Sequence, residues 1–413
     1  METTTLRVPG LVLVEREFRV PLDHQRPDGD QITVFAREVA APDGLDRPYL
    51  VFLNGGPGQE APRPTSAPSS PAWLRRALED YRVLLLDQRG TGRSTPVGTL
   101  DGWEPAQQAA YLRHFRADSI VADAEWIRTA LGVERWSVLG QSFGGFCVLR
   151  YLSAAPEGLR EAFVTGGVPP VGRHPDEVYQ RTWRIIEERN ERYYRRYPRD
   201  RDRVRALVER LEAGRVRLPN GEAVTARRFR QIGNALGASD GAEHLHYLLE
   251  RDPDSPAFAH DLAGMLPFSS RNPLFVLVHE AGYADGHATR WSAHRTRPRS
   301  FEEDPTLLTG EHLFPWMLTD YPELAPLAEA AELLAEHPWP RLYDERALRG
   351  CEVPCAAAIY AEDPYVERGF SEETAAMIPT MRTWLTNEYE HNGLRADGGV
   401  ILDRLVQLAR GAR

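Results

Sequence analysis

Lysine is absent from this 413-residue chain: all 50 basic residues are arginine. A Walker-type phosphate loop, a Schiff-base lysine and a serine–lysine dyad each need the lysine amine, so all three chemistries are excluded. Cysteine is scarce too, and three residues, an odd number, do not make a disulfide framework in a chain this long. No apolar run approaches the roughly 18 residues of a membrane-spanning helix. The start, METTTLRVPGLVLVEREF, lacks a basic leader followed by a long apolar stretch. The expectation is a cytoplasmic protein without a membrane partner. Positive charge is outnumbered, 50 basic residues against 60 acidic for a net −10. That balance repels phosphate backbones, so no nucleic-acid partner is expected. The densest arginine stretch, ERYYRRYPRDRDRVRALVER, is interleaved with acids and reads as a solvated helix laced with ion pairs.

What is present is globular: 42% hydrophobic and 27% charged residues, in a chain long enough to bury a full core. VLVEREFRVPL and QITVFAREV carry the β-branched pattern of strands, with Asp-Gly and Pro punctuation between them. PYLVFLNGG (48–56), RVLLLD (82–87) and RWSVLG (135–140) are continuous apolar runs, as in strands buried on both faces of a parallel sheet. Between the last two, Ile120, Val121, Ala124, Ile127 and Leu131 share one face at helical spacing. This alternation predicts an α/β fold with right-handed crossovers. From about 171 to 340 the chain turns helical, charged and broken by prolines; strand-like CAAAIYAED (355–363) and TMRTWLTN (380–387) then precede a C-terminal helix. The predicted organisation is a core over 1–170 and 341–413, interrupted by a helical cap over 171–340.

Gly140-Gln141-Ser142-Phe143-Gly144 follows a predicted strand and opens a predicted helix. That context makes G-x-S-x-G a nucleophile elbow, whose glycines permit the sharp turn that presents Ser142 at the carboxyl end of the sheet. Hydrolases of this topology supply serine, acid and histidine in that chain order. Of twelve histidines only His391 lies beyond His337, which makes it the candidate base. Asp363 closes the strand CAAAIYAED, and its neighbour Glu362 is expected to point the other way by strand alternation. Asn54-Gly55-Gly56-Pro57-Gly58 follows a buried strand; N–H groups of Gly55 or Gly56, with that of Phe143, form a candidate oxyanion hole. In Asp87-Gln88-Arg89-Gly90-Thr91-Gly92-Arg93-Ser94 the acid and the arginines are assigned to bracing the site loops.

GGPG, DQRGTGRS and GQSFGG in this order, with the Asp-Pro-Tyr-Val strand end and EHNGLR, resemble the prolyl aminopeptidases (proline iminopeptidases) of the α/β-hydrolase superfamily, in their larger bacterial form. The resemblance covers both core segments; in the insertion it extends only to position, helical character and a few short stretches. The family usually has His before GGPG, where this chain has Asn54, a swap that leaves the backbone donors in place. The resemblance implies an α/β-hydrolase core with a mostly parallel sheet and an inserted helical cap. It also implies removal of an N-terminal proline from peptides with a free N-terminus, without a cofactor. Recognition of the free amine would then fall to cap glutamates. Glu280 in His279-Glu280-Ala281-Gly282-Tyr283 and Glu311 in Gly310-Glu311-His312 are the candidates, with Phe143 and Tyr365 as possible walls for the pyrrolidine ring. The same triad would equally serve an esterase or amidase with no amine requirement, and a non-catalytic hydrolase-fold binding protein stays open as a third alternative.

Three further features carry less. Cys351-x-x-x-Cys355 has the wrong spacing for a C-x-x-C pair. Cys147 reads as a small packed hydrophobe. His244 and His246 lack an evident third ligand and read as surface residues, so no metal site is assigned.

Overall fold

The computed structural model describes residues 2–65 and 70–412. Nine strands form one sheet: β1 (Glu2–Val8), β2 (Leu11–Pro21), β3 (Gln31–Ala40), β4 (Tyr49–Leu53), β5 (Arg82–Leu86), β6 (Trp136–Gln141), β7 (Leu159–Thr165), β8 (Cys355–Tyr360) and β9 (Met381–Thr386). Their order is β1-β2-β3-β5-β4-β6-β7-β8-β9. The first three strands and the β3–β5 junction are antiparallel; every pair from β5 to β9 is parallel. The predicted strands are all present. β1 was not anticipated, because its residues are largely exposed at the sheet edge and carry no apolar alternation.

The continuous apolar runs are explained by burial on both faces. In β4, Tyr49, Val51 and Leu53 join one core cluster and Leu50 and Phe52 the other; in β5, Leu84 and Leu86 part from Val83 and Leu85 in the same way. Side chains alternate across a strand, so both parities must be apolar when helices cover both faces. One face packs against helix Ala117–Ala130, through Ile120, Val121, Ala124 and Ile127, and against helix Phe143–Ala154. The other packs against helices Leu74–Asp80 and Gly398–Ala409.

Between β7 and β8 the chain forms the helical cap, opened by the long helix Pro175–Arg196. The arginine-rich stretch is two helices, broken at Pro198, where the second, Pro198–Glu212, begins. Ion pairs do lace its outer side, Arg205 to Asp202 at 2.8 Å among them, but Tyr193, Tyr194, Val204 and Leu207 bury an inner face. Among the described residues no helix is long and apolar enough to cross a membrane.

The chain places β5 on one side of β4 and then β6 on the other. The carboxyl ends of strands flanking such a reversal open a crevice, which is where ligands bind in open α/β sheets. Both the glycine loop after β4 and the elbow after β6 emerge there.

Candidate active site

Ser142 sits between β6 and helix Phe143–Ala154 with φ 53° and ψ −123°, a conformation non-glycine residues rarely adopt. Strain of this kind costs about 1–3 kcal/mol and survives only where the surroundings impose it. Here they do. The Ser142 N–H donates to Thr165 O at 3.1 Å, and the Ser142 carbonyl accepts from the Gly145 N–H at 2.7 Å. Gly144 lies so close under β4 that a Cβ there would collide with the Leu53 carbonyl, so the elbow cannot relax toward the sheet.

Asp363 lies in the turn three residues beyond the end of β8 and is buried. One carboxylate oxygen accepts the N–H groups of Tyr365 at 2.9 Å and Val366 at 3.1 Å; the other meets His391 Nδ1 at 2.7 Å. The turn, rather than strand alternation, sends Glu362 outward, where it pairs with Arg192. Burial by itself would lower the His391 pKa. The Asp363 carboxylate, its hydrogen bond and the charge of Glu311 outweigh burial and raise it above the ordinary value. Ser142 and His391 line one cavity of about 890 Å³. Among the described residues no hydrogen bond yet joins them, a looseness common in unliganded sites that tightens when substrate completes the geometry.

Gly55 and Gly56 line the same cavity, and a Cβ on Gly55 would stand 3.1 Å from Ser142 Cβ. Gly56 has φ +124°, which only glycine holds without strain. Among the described residues the N–H groups of Gly55, Gly56 and Phe143 donate to no backbone or side-chain acceptor; that of Phe143 is one of the orphan donors of a helix start. Asn54 anchors the loop: its Nδ2 donates to Glu60 O at 2.7 Å, and its carbonyl accepts from Gln88 Nε2 at 3.0 Å. Asp87 braces it from below, taking both Arg63 nitrogens at 2.9 and 2.7 Å and the N–H groups of Ala61 and Arg93. Arg89, fully buried, pairs with Asp123 and donates to the carbonyls of Pro21, Leu22 and His114.

The two cap glutamates part company. Glu311 lines the Ser142 cavity, with His279 Nε2 at 3.3 Å behind it; the other nitrogen of that ring meets Tyr179 Oη at 3.3 Å. Glu280 does not line that cavity. Its two oxygens accept the N–H groups of Ser292 at 3.0 Å and Ala293 at 2.9 Å, and it borders a separate small void beside Trp291 and Trp339. Burial pushes its pKa up to about 7, against the lowering effect of those backbone donors and of His279. Glu280 is therefore a buried backbone anchor outside the lining of the Ser142 cavity, away from the place beside the substrate amine that the resemblance implies for it. Tyr365 does line the cavity, its ring edge-on to His391 at 4.9 Å between centroids, its hydroxyl bonded to Asn234 O. Phe143 is buried and in contact with Phe146, and its ring lies outside the cavity lining.

Cys147 is fully buried, and burial raises its thiol pKa. Cys351 and Cys355 are free thiols sharing the Thr380 hydroxyl, at 4.0 and 3.8 Å. His244 is exposed, but His246 is held between Glu250 at 3.2 Å, one helical turn on, and Asp200 at 2.9 Å, a carboxylate remote in the chain. Among the described residues no group of three or more His, Cys, Asp or Glu is placed to hold a metal ion.

Sequence reasoning missed Arg189. It is buried in helix Pro175–Arg196, on the face that also buries Thr182, Ile186 and Tyr193, and a cation at that helical phase was the available signal. Arg395 was read only as part of EHNGLR, yet it lies at the cavity lining.

A family model described as the alpha/beta hydrolase fold matches residues 48–256. A proline iminopeptidase of Aeromonas sobria is 48% identical, over 95% of this chain and 95% of its own. The proline iminopeptidase aneH of Aspergillus aculeatus is 35% identical, over 95% of this chain and 93% of its own. A probable proline iminopeptidase of Streptomyces coelicolor is 34% identical over 44% of this chain and 51% of its own.

Proposed function

The chain belongs to the proline iminopeptidases, enzymes on the α/β-hydrolase scaffold, and from that premise we propose how its own residues release an N-terminal proline. It is a serine aminopeptidase working through an acyl-enzyme. His391 takes the Ser142 hydroxyl proton as the oxygen attacks the prolyl carbonyl carbon, and Asp363 fixes the imidazole tautomer and stabilises the imidazolium that forms. The carbonyl oxygen, now negative, receives the N–H of Phe143 and that of Gly55 or Gly56. As the tetrahedral adduct collapses, the C–N bond breaks and His391 gives its proton to the leaving amine, so the shortened peptide departs. Water, deprotonated by His391, then cleaves the prolyl ester, releasing proline and restoring Ser142.

Glu311 reads the amine. A prolyl N-terminus is a secondary ammonium with two N–H donors, and a carboxylate in the same cavity as the nucleophile accepts them while balancing the charge. His279 behind Glu311 holds the carboxylate's orientation. Tyr365 provides one wall for the ring. The observation that carries this reading is the meeting in one cavity of the strained Ser142, the Asp363-bound His391 and the Glu311 carboxylate.

The test is release of p-nitroaniline from prolyl and N-acetylprolyl p-nitroanilides by the native chain and by Ser142→Ala. Turnover of the free-amine substrate alone, lost in Ser142→Ala, upholds the reading. Equal turnover of the acetylated substrate contradicts amine recognition and points to a general esterase or amidase.

A further inference from the structure

Of the three cysteines in the chain, two meet. Cys351 follows helix Glu345–Arg349, its N–H donating to Leu348 O at 3.2 Å, and Cys355 opens β8. The turn between them does what the C-x-x-x-C spacing gave no reason to expect. The Cys355 thiol donates to Val353 O at 2.9 Å, so its side chain bends back along the chain toward residue 351. Both sulfurs then lie against one hydroxyl, that of Thr380 just before β9, at 4.0 and 3.8 Å. The two thiols are within hydrogen-bonding reach of each other.

The pair is chemically unequal. The hydrogen bond from Cys355 holds the Cys351 thiol down to about 6, against the raising effect of burial. That same contact, and burial after it, push Cys355 well above the ordinary thiol range. Exposure divides them in the same sense: Cys351 is 4% exposed between the exposed residues Gly350 and Glu352, whereas Cys355 is sealed. A thiolate with some access is the form that attacks an oxidant, and a second thiol in contact is what resolves the product. Cys147 supplies the contrast, fully buried in helix Phe143–Ala154 with its thiol pushed up by burial. Cys355 and Thr380 stand at the amino ends of β8 and β9, the opposite end of the sheet from Ser142.

We propose that Cys351 and Cys355 form a reversible thiol–disulfide site, oxidised by hydrogen peroxide or an alkyl hydroperoxide. The Cys351 thiolate attacks one peroxide oxygen; the O–O bond breaks, leaving a sulfenic acid on Cys351 and a hydroxide or alkoxide. That base takes the Cys355 proton. The Cys355 sulfur then displaces the sulfenic oxygen as hydroxide, which solvent protonates, and the S–S bond forms. Two electrons have passed from the sulfurs to the peroxide, and a dithiol reductant returns both thiols. Where thiols are kept reduced the resting state is the dithiol. The resolving thiol keeps Cys351 from further, irreversible oxidation to the sulfinic acid. The site is separate from the aminopeptidase chemistry and does not rest on it.

In the experiment the reduced native chain is treated with hydrogen peroxide, free thiols are blocked with N-ethylmaleimide in denaturant, and tryptic peptides are weighed. Cleavage after Arg349 and Arg368 leaves both cysteines in one peptide. The expected result is that peptide unlabelled and two hydrogens lighter, restored to double labelling by dithiothreitol, with Cys147 labelled throughout. In Cys355→Ser, dimedone should trap a sulfenic acid on Cys351. In Cys351→Ser, Cys355 should stay a thiol, oxidising at least about tenfold more slowly than the native pair. Circular dichroism of each chain confirms that the serine variants are folded. Labelled thiols at both 351 and 355 after peroxide overturn the proposal. So does a disulfide to Cys147 or to a second chain, or a sulfenic acid trapped on Cys355 instead of Cys351.

Discussion

The Arg189 guanidinium of the cap donates to the Glu390 carboxylate at 2.7 Å, immediately before His391 in the chain. The same side chain donates to the Glu362 carbonyl, immediately before Asp363. One buried cation from the cap therefore ties together the two core loops that carry the acid and the base. Nearby, Asn392 Oδ1 accepts the Ser239 N–H at 3.0 Å and its hydroxyl at 2.9 Å, a second bond between the cap and the histidine loop. Cap and triad are built as one unit.

Arg189→Met should therefore damage catalysis more than binding. Loosening the His391 and Asp363 loops misplaces the base, and a misplacement of about 1 Å costs on the order of a hundredfold in rate. The expected result is a fall of about ten- to a hundredfold in kcat with a smaller change in KM, partly rescued in Arg189→Lys. Steady-state kinetics on prolyl p-nitroanilide, with the pH profile of each variant, check this; an unaltered kcat in folded Arg189→Met refutes it.

The pH dependence follows from His391. The residue works as a base only when neutral, and its pKa is raised above 6.5 because Asp363 and Glu311 outweigh burial. Activity should accordingly be lost as pH falls through that raised value, giving an ascending limb of kcat/KM centred above 6.5. Asp363→Asn should shift this limb to lower pH and reduce kcat by about 10⁴-fold, since the imidazole loses both its orienting acceptor and its stabilising charge.

The two cap glutamates should separate cleanly. Glu311→Gln removes the amine's counter-charge at the nucleophile's cavity and should raise KM for free-amine substrates at least about tenfold, the loss of one charge-assisted contact. Glu280→Gln places an amide N–H₂ against backbone donors that need an acceptor. It should cost about 1–3 kcal/mol in stability, read by urea denaturation, with little change in the KM of the folded fraction.

That pair also marks where sequence stops being informative. His279-Glu280 and Gly310-Glu311 looked equivalent in the chain, because both are cap acids beside histidine. Which one lines the Ser142 cavity is decided by the turn after Glu280, which aims its carboxylate at the start of helix Ser292–Arg295. The pairing of Asp363 with His391, and of His391 with Ser142 in one cavity, was legible because chain order and a single late histidine left little choice. The parallel strands were legible because burial on both faces makes continuous apolar runs. Arg189 was not, since a guanidinium reaching from residue 189 to residues 362 and 390 leaves no local pattern beyond its helical phase.

Arg89 and Asp123 offer a test of the scaffold independent of chemistry. Both are buried, and among the described residues Asp123 has only His24, at 2.8 Å, besides Arg89 to balance it. Arg89→Met should destabilise the fold by about 3–5 kcal/mol through the uncompensated carboxylate, and Arg89→Met combined with Asp123→Leu should recover part of that loss. Denaturant titration of the single and double variants measures both.

The central claim is that Ser142 carries the prolyl group between the two halves of the reaction. Its most direct test is rapid acid quenching of the native chain with prolyl p-nitrophenyl ester, followed by peptide mapping by mass spectrometry. A prolyl ester on Ser142, absent from Ser142→Ala and from enzyme given N-acetylprolyl ester, is the predicted result. Turnover of the ester without any adduct, or an adduct on another residue, would contradict it.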